Sequence, residues 1–130
     1  NFYEIRFEVE NTSSITHVFN YPNPFSSSTR FVYTLTGAEV PELFQIHIYT
    51  ISGKLVKVVD LGELGDVHIG RNLTDYAWDG TDEYGDRLAN GVYLYRIVTR
   101  MQSNVAEMEL RDEGTSQYFN NGWGKMYILR

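Results

Sequence analysis

Hydrophobic and polar residues alternate with a period of two along much of this chain. In the run "FYEIRFEV", residues 2–9, the side chains of Tyr3, Ile5, Phe7 and Val9 fall on one side, opposite charged residues. Because successive side chains of a β-strand point to opposite faces, this pattern predicts a half-buried strand with one core face. Similar runs predict further strands at 30–36, 44–51, 54–61, 73–79, 91–99, 105–110 and 125–129.

The segments between these runs are rich in turn-forming residues. Ser52-Gly53 interrupts residues 44–61 and predicts a tight hairpin. The segment 60–72 is predicted to be a long connection, and the polar segment 111–124 is predicted to join the last two strands. Helical periodicity is nearly absent. Many short strands with frequent turns predict an antiparallel β-sandwich of seven to nine strands rather than βαβ units.

The stretch "NYPNPF" concentrates two of the three prolines of the chain, Pro22 and Pro24. Each proline fixes its own φ, lacks a backbone donor and pushes the preceding residue toward extended geometry. We therefore expect a stiff, extended segment that leads into the strand beginning near Arg30. Burial of Tyr21 and Phe25 would pin it to the sandwich. A structural role is favoured over a proline-recognition motif, which needs a longer proline-rich run.

A second stretch, "YAWDGTDEYGDRLANGVYLYRI" at 76–97, carries three turn signals. They are Asp79-Gly80, the segment 82–85 and Asn90-Gly91. In the second turn, the Asp82 side chain can accept hydrogen bonds from the backbone ahead of it, and Gly85 can adopt a positive φ.

Charge and composition exclude several classes of protein. The formal net charge is −6, which argues against a nucleic-acid binder and against an anionic membrane surface as partner. No apolar run is long enough to span a bilayer. The chain has no cysteine, so disulfides and thiolate metal sites are excluded.

The length of 130 residues suits one domain with a short arm. We expect residues 1–18 to form an N-terminal strand or arm, which either completes this domain or links it to a preceding one. Residues 19–130 would then form the domain proper. Because the chain begins at Asn1 without an initiator methionine, we expect it to be a fragment of a longer protein.

Four motifs in order, "NYPNPF", "IHIYTISGKLVKVV", "WDGTDEYGDRLANGVYLYRI" and "GKMYILR", resemble the C-terminal sorting domains of type IX secretion substrates. They also resemble the related immunoglobulin-like domain of flagellar hook-capping proteins. The resemblance covers about residues 19–100 and the last six residues. Residues 101–124 are longer than the link usual in the family, and residues 1–18 add a strand. The positions that match the family motifs are Tyr21, Pro22, Asn23, Pro24, Phe25, Gly53, Trp78, Asp79, Gly80, Asp82, Gly85, Gly91, Tyr93, Tyr95 and Arg130.

The resemblance implies an immunoglobulin-like sandwich at the end of a larger exported bacterial protein, secreted or held at the cell surface after passing the periplasm. Its implied partners are the outer-membrane secretion machinery, a sortase-like peptidase and an N-terminal cargo domain in the same chain. A last strand at a sheet edge could also pair with a partner by strand addition. We therefore expect Gly124, Lys125 and Arg130 to carry recognition.

Other chemistry has weaker support. Asp79, Asp82 and Asp86 could bind calcium, but their spacing does not match an EF-hand, and turn capping with a contribution to solubility is the favoured interpretation. The histidines show no metal-binding spacing, and neither a GxSxG motif nor a thiol nucleophile is present. We therefore predict a domain without cofactor or catalytic residues, although the parent protein could be an enzyme.

Aromatic residues leave one alternative open. Tyr76, Trp78, Tyr93 and Tyr95 could line a sugar-binding face, but cross-strand packing in the core is favoured. Trp123, between two glycines, is expected in a loop where it could be a contact point. The alternative functions are a carbohydrate-binding or adhesion module, or a structural spacer, attached to a secreted enzyme such as a gingipain-type peptidase.

Overall fold

The computed structural model describes residues 14–37, 40–100, 109–110, 119–120 and 122–130. This part of the chain contains nine strands and one helical turn, arranged as an immunoglobulin-like β-sandwich. The elements are β1 (Ser14–Tyr21), β2 (Arg30–Thr36), β3 (Leu43–Thr50), β4 (Leu55–Val59), α1 (Leu61–Leu64), β5 (Gly70–Leu73), β6 (Gly91–Arg100), β7 (Glu109–Leu110), β8 (Phe119–Asn120) and β9 (Trp123–Ile128). The predicted fold class and strand number are confirmed.

Two sheets form the layers of the sandwich. One has the order β5-β2-β1-β7 and the other the order β4-β3-β6-β9-β8. Every strand pair is antiparallel except the short pairing of β7 with β1, which is parallel. No helix in the described ranges is long and apolar enough to cross a membrane.

Large apolar side chains from both sheets fill the space between them. The ring of Tyr33 stacks on that of Phe44 with centroids 4.7 Å apart. Phe31 of the first sheet meets Tyr95 of the second edge-on at 5.1 Å. Burial raises the pKa of both tyrosines because the charged form would be poorly solvated. Burial of apolar surface of this kind is the main favourable term in folding.

Trp78 lies at one end of this core, and none of its surface is exposed. Its ring packs against those of Phe25 at 5.7 Å and Tyr93 at 6.4 Å. The core-packing interpretation is therefore confirmed for Trp78, Tyr93 and Tyr95, whereas Tyr76 is half-buried.

The predicted hairpin of residues 44–61 is confirmed as β3 and β4. Thr50 N donates to Lys54 O at 2.8 Å, and Gly53 N donates to Thr50 O at 2.9 Å. Gly53 has φ +97°, a conformation that glycine adopts without steric cost.

The sequence pattern missed β1. A register shift falls between Thr16 and Phe19, and His17 has φ +55°. Moreover, Thr16 and Asn20 are polar but face the interior. The bulge and the buried polar residues together remove the two-residue hydrophobic period from which a strand is predicted.

The predicted strand at 73–79 is wrong. The strand is β5, which ends at Leu73; its first three residues lie in the predicted connection 60–72, as does all of α1. Beyond it, Thr74 N donates to Phe31 O at 3.0 Å, and Trp78 forms only an isolated bridge to Thr29. The alternation in this segment places Trp78 in the core without a continuous ladder.

The segment around Pro22 and Pro24 is not the extended lead-in that the sequence predicted. It bends within the loop that joins β1 to β2, and both prolines follow cis peptide bonds. Phe25 is buried as expected, but Tyr21 is 71% exposed because it lies on the solvent side of β1. The expected burial of Tyr21 is therefore wrong.

Several predictions concern residues that are not described. The strand at 2–9, most of the strand at 105–110 and most of the segment 111–124 lie outside the described residues. The division into residues 1–18 and 19–130 stays a prediction, although its boundary falls inside β1.

Gly124 provides a test of the packing between β6 and β9. It pairs with Tyr95 across β6 and β9, and an added Cβ would clash with the Tyr95 ring. Alanine normally suits a strand interior better than glycine. We nevertheless expect Gly124→Ala to lower the free energy of unfolding by about 1–3 kcal/mol through overpacking.

Chemical denaturation measures this change, and Tyr95→Leu supplies the control background. There the ring is gone, so the same glycine substitution should cost nothing. An equal cost in both backgrounds would contradict the packing role of Gly124.

Candidate recognition site at the last strand

The last strand, β9, is the site on which the predicted recognition residues converge. It pairs along its length with β6, from Gly91 opposite Ile128 to Arg96 opposite Trp123. Gly124, Met126 and Ile128 face the core, whereas Lys125 on the alternate face is exposed.

On the side away from β6, β9 pairs with β8 at Trp123 and Gly124, and beyond Gly124 it is covered by the proline-containing loop. Phe25 N donates to Tyr127 O at 3.0 Å, and Leu129 N donates to Phe25 O at 2.9 Å. Two residues before Phe25 in the loop, Asn23 contributes its side chain: Nδ2 donates to Lys125 O at 3.0 Å, and Oδ1 accepts from Tyr127 N at 3.1 Å. The side-chain amide of Asn23 thus takes the place of a backbone amide in a neighbouring strand.

A buried polar chain fixes the Asn23 side chain in this position. Its Nδ2 also donates to Asn20 Oδ1 at 3.3 Å, and Asn20 Nδ2 donates to Thr29 Oγ1 at 3.0 Å. Thr29 Oγ1 in turn donates to Pro22 O at 2.9 Å. The polar residues buried on β1 therefore hold the loop that covers β9.

This covering corrects the expected recognition mechanism. Strand addition requires a row of unpaired backbone groups at a sheet edge. Over residues 125–129 those groups already bond to Asn23 and Phe25, so this part of β9 is not an open edge.

Arg130 is held by a second set of contacts. The Asn90 side chain binds both backbone polar groups of Arg130. Arg130 N donates to Asn90 Oδ1 at 3.1 Å, and Asn90 Nδ2 donates to Arg130 O at 3.2 Å. The guanidinium Nη2 donates to Gly80 O at 2.9 Å. A Cβ on Gly80 would lie 2.6 Å from this Nη2, so a side chain there would displace the guanidinium, and the φ of +78° at Gly80 also favours glycine.

The three predicted recognition residues therefore differ in what they can contact. Gly124 is buried beneath Tyr95 and is not available to a partner. Arg130 is half-buried and uses its guanidinium within the domain. Lys125 alone among the three presents an exposed side chain.

The acidic loop after Trp78 is a set of capped turns. Asp82 Oδ1 accepts from Tyr84 N and from Asp86 N, both at 2.9 Å, and Gly85 has φ +86°. Asp79 Oδ1 accepts from Thr81 Oγ1 at 2.6 Å. The predicted Asp82–Gly85 turn is confirmed. Within the described residues, no group of three His, Cys, Asp or Glu side chains could hold a metal ion, so calcium gains no support.

Glu83 in this loop covers the edge of β4, a role that the sequence did not reveal. Its backbone N donates to Val56 O at 3.0 Å, and its Oε1 accepts from Val58 N at 2.6 Å. A side chain again replaces a strand, as Asn23 does at β9. Turn chemistry identified the loop, but only tertiary structure shows what it contacts.

A polar and aromatic network on the solvent face of the five-stranded sheet was also missed. Arg96 Nε donates to Tyr49 Oη at 3.2 Å, and Tyr49 Oη lies 3.4 Å from His47 Nδ1. The Arg96 guanidinium also lies over the rings of Tyr49, at 5.7 Å, and Trp123, at 5.4 Å. Trp123 is therefore part of β9 and of this network, not of a loop as predicted.

The direction of the network follows from the groups at its two ends. Gln45 Oε1 can only accept, so His47 Nε2 donates to it at 2.9 Å, and Nδ1 of neutral His47 accepts from the Tyr49 hydroxyl. Arg96 Nε can only donate, so Tyr49 Oη accepts there. Partial burial and the nearby Arg96 charge both lower the pKa of His47, which favours this neutral form.

Two covered edges and two packed sheets define a β-sandwich domain of the immunoglobulin-like class. The chain belongs to the FlgD Ig-like domain family, whose model matches residues 23–103. The match ends before β9, so the covering of the last strand is a feature that the structure adds.

Among solved structures, the chain is similar to part of the dimeric latent PorU from Porphyromonas gingivalis. The TM-score is 0.53 and the identity 23%, over 78% of this chain and 10% of the PorU chain. At that identity the similarity shows the fold alone, and this chain spans about a tenth of the length of PorU. A search of curated proteins finds no match.

We expect Asn23→Ala to expose the edge of β9. The variant loses the donor to Lys125 O and the acceptor for Tyr127 N, which should lower the free energy of unfolding by about 1–2 kcal/mol. Amide hydrogen exchange at Tyr127 should accelerate. In the control Asn23→Asp, which keeps the acceptor, that amide should stay protected. Unchanged exchange at Tyr127 in Asn23→Ala would refute the covering role.

The proton arrangement of the network can be tested by NMR titration of His47. Replacing Arg96 with Gln removes the positive charge, so the pKa of His47 should rise toward the ordinary histidine value without fully reaching it, because partial burial remains. Arg96→Lys keeps the charge and serves as the control. A pKa of His47 that is the same in all three proteins would contradict the coupling.

Proposed function

We propose that this domain is a non-catalytic C-terminal sorting domain of a larger exported bacterial protein, recognised by the outer-membrane machinery of type IX secretion. The partners in this proposal are that machinery, a sortase-like peptidase and an N-terminal cargo domain. The final location is outside the cell or at its surface, reached through the periplasm.

One observation carries the proposal: the separate motifs of the family resemblance meet at β9. Asn23 and Phe25 pair with its edge, Tyr95 packs on Gly124, and Gly80 accepts from Arg130. Residues far apart in sequence thus share the task of holding the last strand. A set of motifs that converges on one strand supports the proposal, because a sorting signal read as a folded unit needs a surface with a fixed shape.

The similarity to PorU supports the view that this domain is one module of a longer protein. In latent PorU, the similar fold corresponds to a tenth of the chain. Recognition would then act on a folded surface rather than on a free peptide, because Met126 and Ile128 near the chain end are fully buried.

The test is to place residues 1–130 after a reporter protein in a host with a working type IX system. We expect the reporter outside the cell, and we expect retention when residues 125–130 are deleted, because the core loses Met126 and Ile128. Retention of the intact fusion, or unaltered export of the truncated one, would refute the sorting function.

A carbohydrate-binding or adhesion module is the second candidate. The observation in its favour is Trp123, which is 38% exposed and packs against Tyr49 at 5.3 Å. Glycan binding by the full chain that disappears in Trp123→Ala would support this function instead.

A further inference from the structure

The solvent face of the five-stranded sheet is unusually apolar. On the central strands β3, β6 and β9, the outward positions include Tyr49, Val92, Leu94, Val98, Trp123 and Tyr127. Outward positions of a sheet that faces only water are normally polar. An apolar patch framed by polar groups, with Trp, Tyr and Arg together, has the composition of a protein interaction surface. We call these outward residues of β3, β6 and β9 the outer sheet face.

The charges on the outer sheet face have one sign. The charged residues at outward positions of these strands are Arg96, Arg100 and Lys125, with neutral His47 beside Arg96. No outward position of the three strands carries a carboxylate, although the chain as a whole has net charge −6. Glu42 reaches only Arg100, at 3.6 Å, at the end of the face. A partner of complementary charge would therefore present carboxylates near Arg96 and Lys125.

Arg96 is arranged for such a contact before any partner binds. Its Nε is bound to Tyr49 Oη, and its guanidinium lies over the Tyr49 and Trp123 rings. A guanidinium fixed in this way loses little conformational entropy when it pairs with a carboxylate. Trp, Tyr and Arg are also the residue types that most often dominate the binding energy of interfaces.

Edge pairing is not the favoured route for a partner at this sheet. The outer edge of β4 is bound by Glu83. On the other side of the sheet, β9 pairs with the two-residue strand β8 at Trp123 and Gly124 and is bound by Asn23 and Phe25 over residues 125–129. Val92, Leu94 and Val98 lie on the same outward side of β6 as Arg96, and Leu94 lies opposite Lys125. These aliphatic side chains favour a protein partner over a sugar, since sugars stack on aromatic rings rather than on valine and leucine.

We propose that the outer sheet face is the docking surface for a protein that presents carboxylates among apolar side chains. The inference rests on the proposed sorting function and assigns the contact with the export machinery to Arg96, Trp123 and Lys125. It replaces strand addition at β9 with face-to-surface docking.

The experiment compares two double charge reversals in the same reporter fusion. Arg96→Glu with Lys125→Glu reverses the outer sheet face. Arg30→Glu with Arg71→Glu makes the same change in net charge on exposed positions of β2 and β5, on the other sheet. Like charges across an interface cost several kcal/mol, so we expect export to fall at least about tenfold in the first variant. We expect the second to match the unaltered fusion.

Thermal unfolding of the purified variants separates docking from folding. If the first reversal is not folded, Arg96→Gln with Lys125→Gln takes its place. A conservative pair, Arg96→Lys with Lys125→Arg, should retain export because it keeps both charges. Equal export by both reversed variants would overturn the docking proposal while leaving the sorting function intact. Retention of the unaltered fusion would overturn both.

Two further measurements test the other occupants of the face. Sedimentation of the full chain and of the first reversal reports self-association. Titration with oligogalacturonate and with neutral cello-oligosaccharides, followed by tryptophan fluorescence, reports sugar binding. A dimer that the reversal dissociates, or saturable sugar binding lost in Trp123→Ala, would overturn the assignment to a carboxylate-bearing protein. A monomer without sugar binding is the expected result.

Discussion

The backbone hydrogen bonds at the outer edge of β9 are the constraint on which the rest of this domain depends. Where β9 extends beyond its short pairing with β8, it carries donors and acceptors that must find partners in the protein, in water or in another molecule. Here Asn23 and Phe25 supply those partners over residues 125–129. The loop can do so because Asn20 and Thr29, both buried, fix its conformation by hydrogen bonds.

The same constraint explains why distant motifs belong together. Gly80 accepts from Arg130, Asn90 binds the Arg130 backbone, and Gly124 lets the Tyr95 ring lie across β9. Each contact places part of the chain end against the sandwich. The docking surface that we propose is the outer sheet face, where Lys125 lies on the same side as Arg96.

Sequence periodicity located the strands that follow a simple rule. β3 and β9 alternate because one face meets the core and the other is more exposed, and β2, β4 and β6 were located although their burial alternates less regularly. β1 escaped detection because its bulge at His17 shifts the phase and because Thr16 and Asn20 face inward. After Leu73 the error was the opposite one, because a strand was predicted where no continuous ladder exists. The alternation there places Trp78 in the core, and Trp78 forms only an isolated bridge. Periodicity reports which side chains are buried, not whether the backbone is paired.

By itself, the sequence determined the β-sandwich, the β3–β4 hairpin, the capped turn at Asp82 and the core positions of Trp78, Tyr93 and Tyr95. These depend on local alternation and on turn chemistry, which act over a few residues. Only the tertiary structure decided that Asn23 and Glu83 replace strands at two sheet edges, that Arg130 is bound internally, and that Arg96 joins Tyr49 and Trp123 on one face. Those contacts join residues that lie far apart in the chain, so no local pattern of residues encodes them.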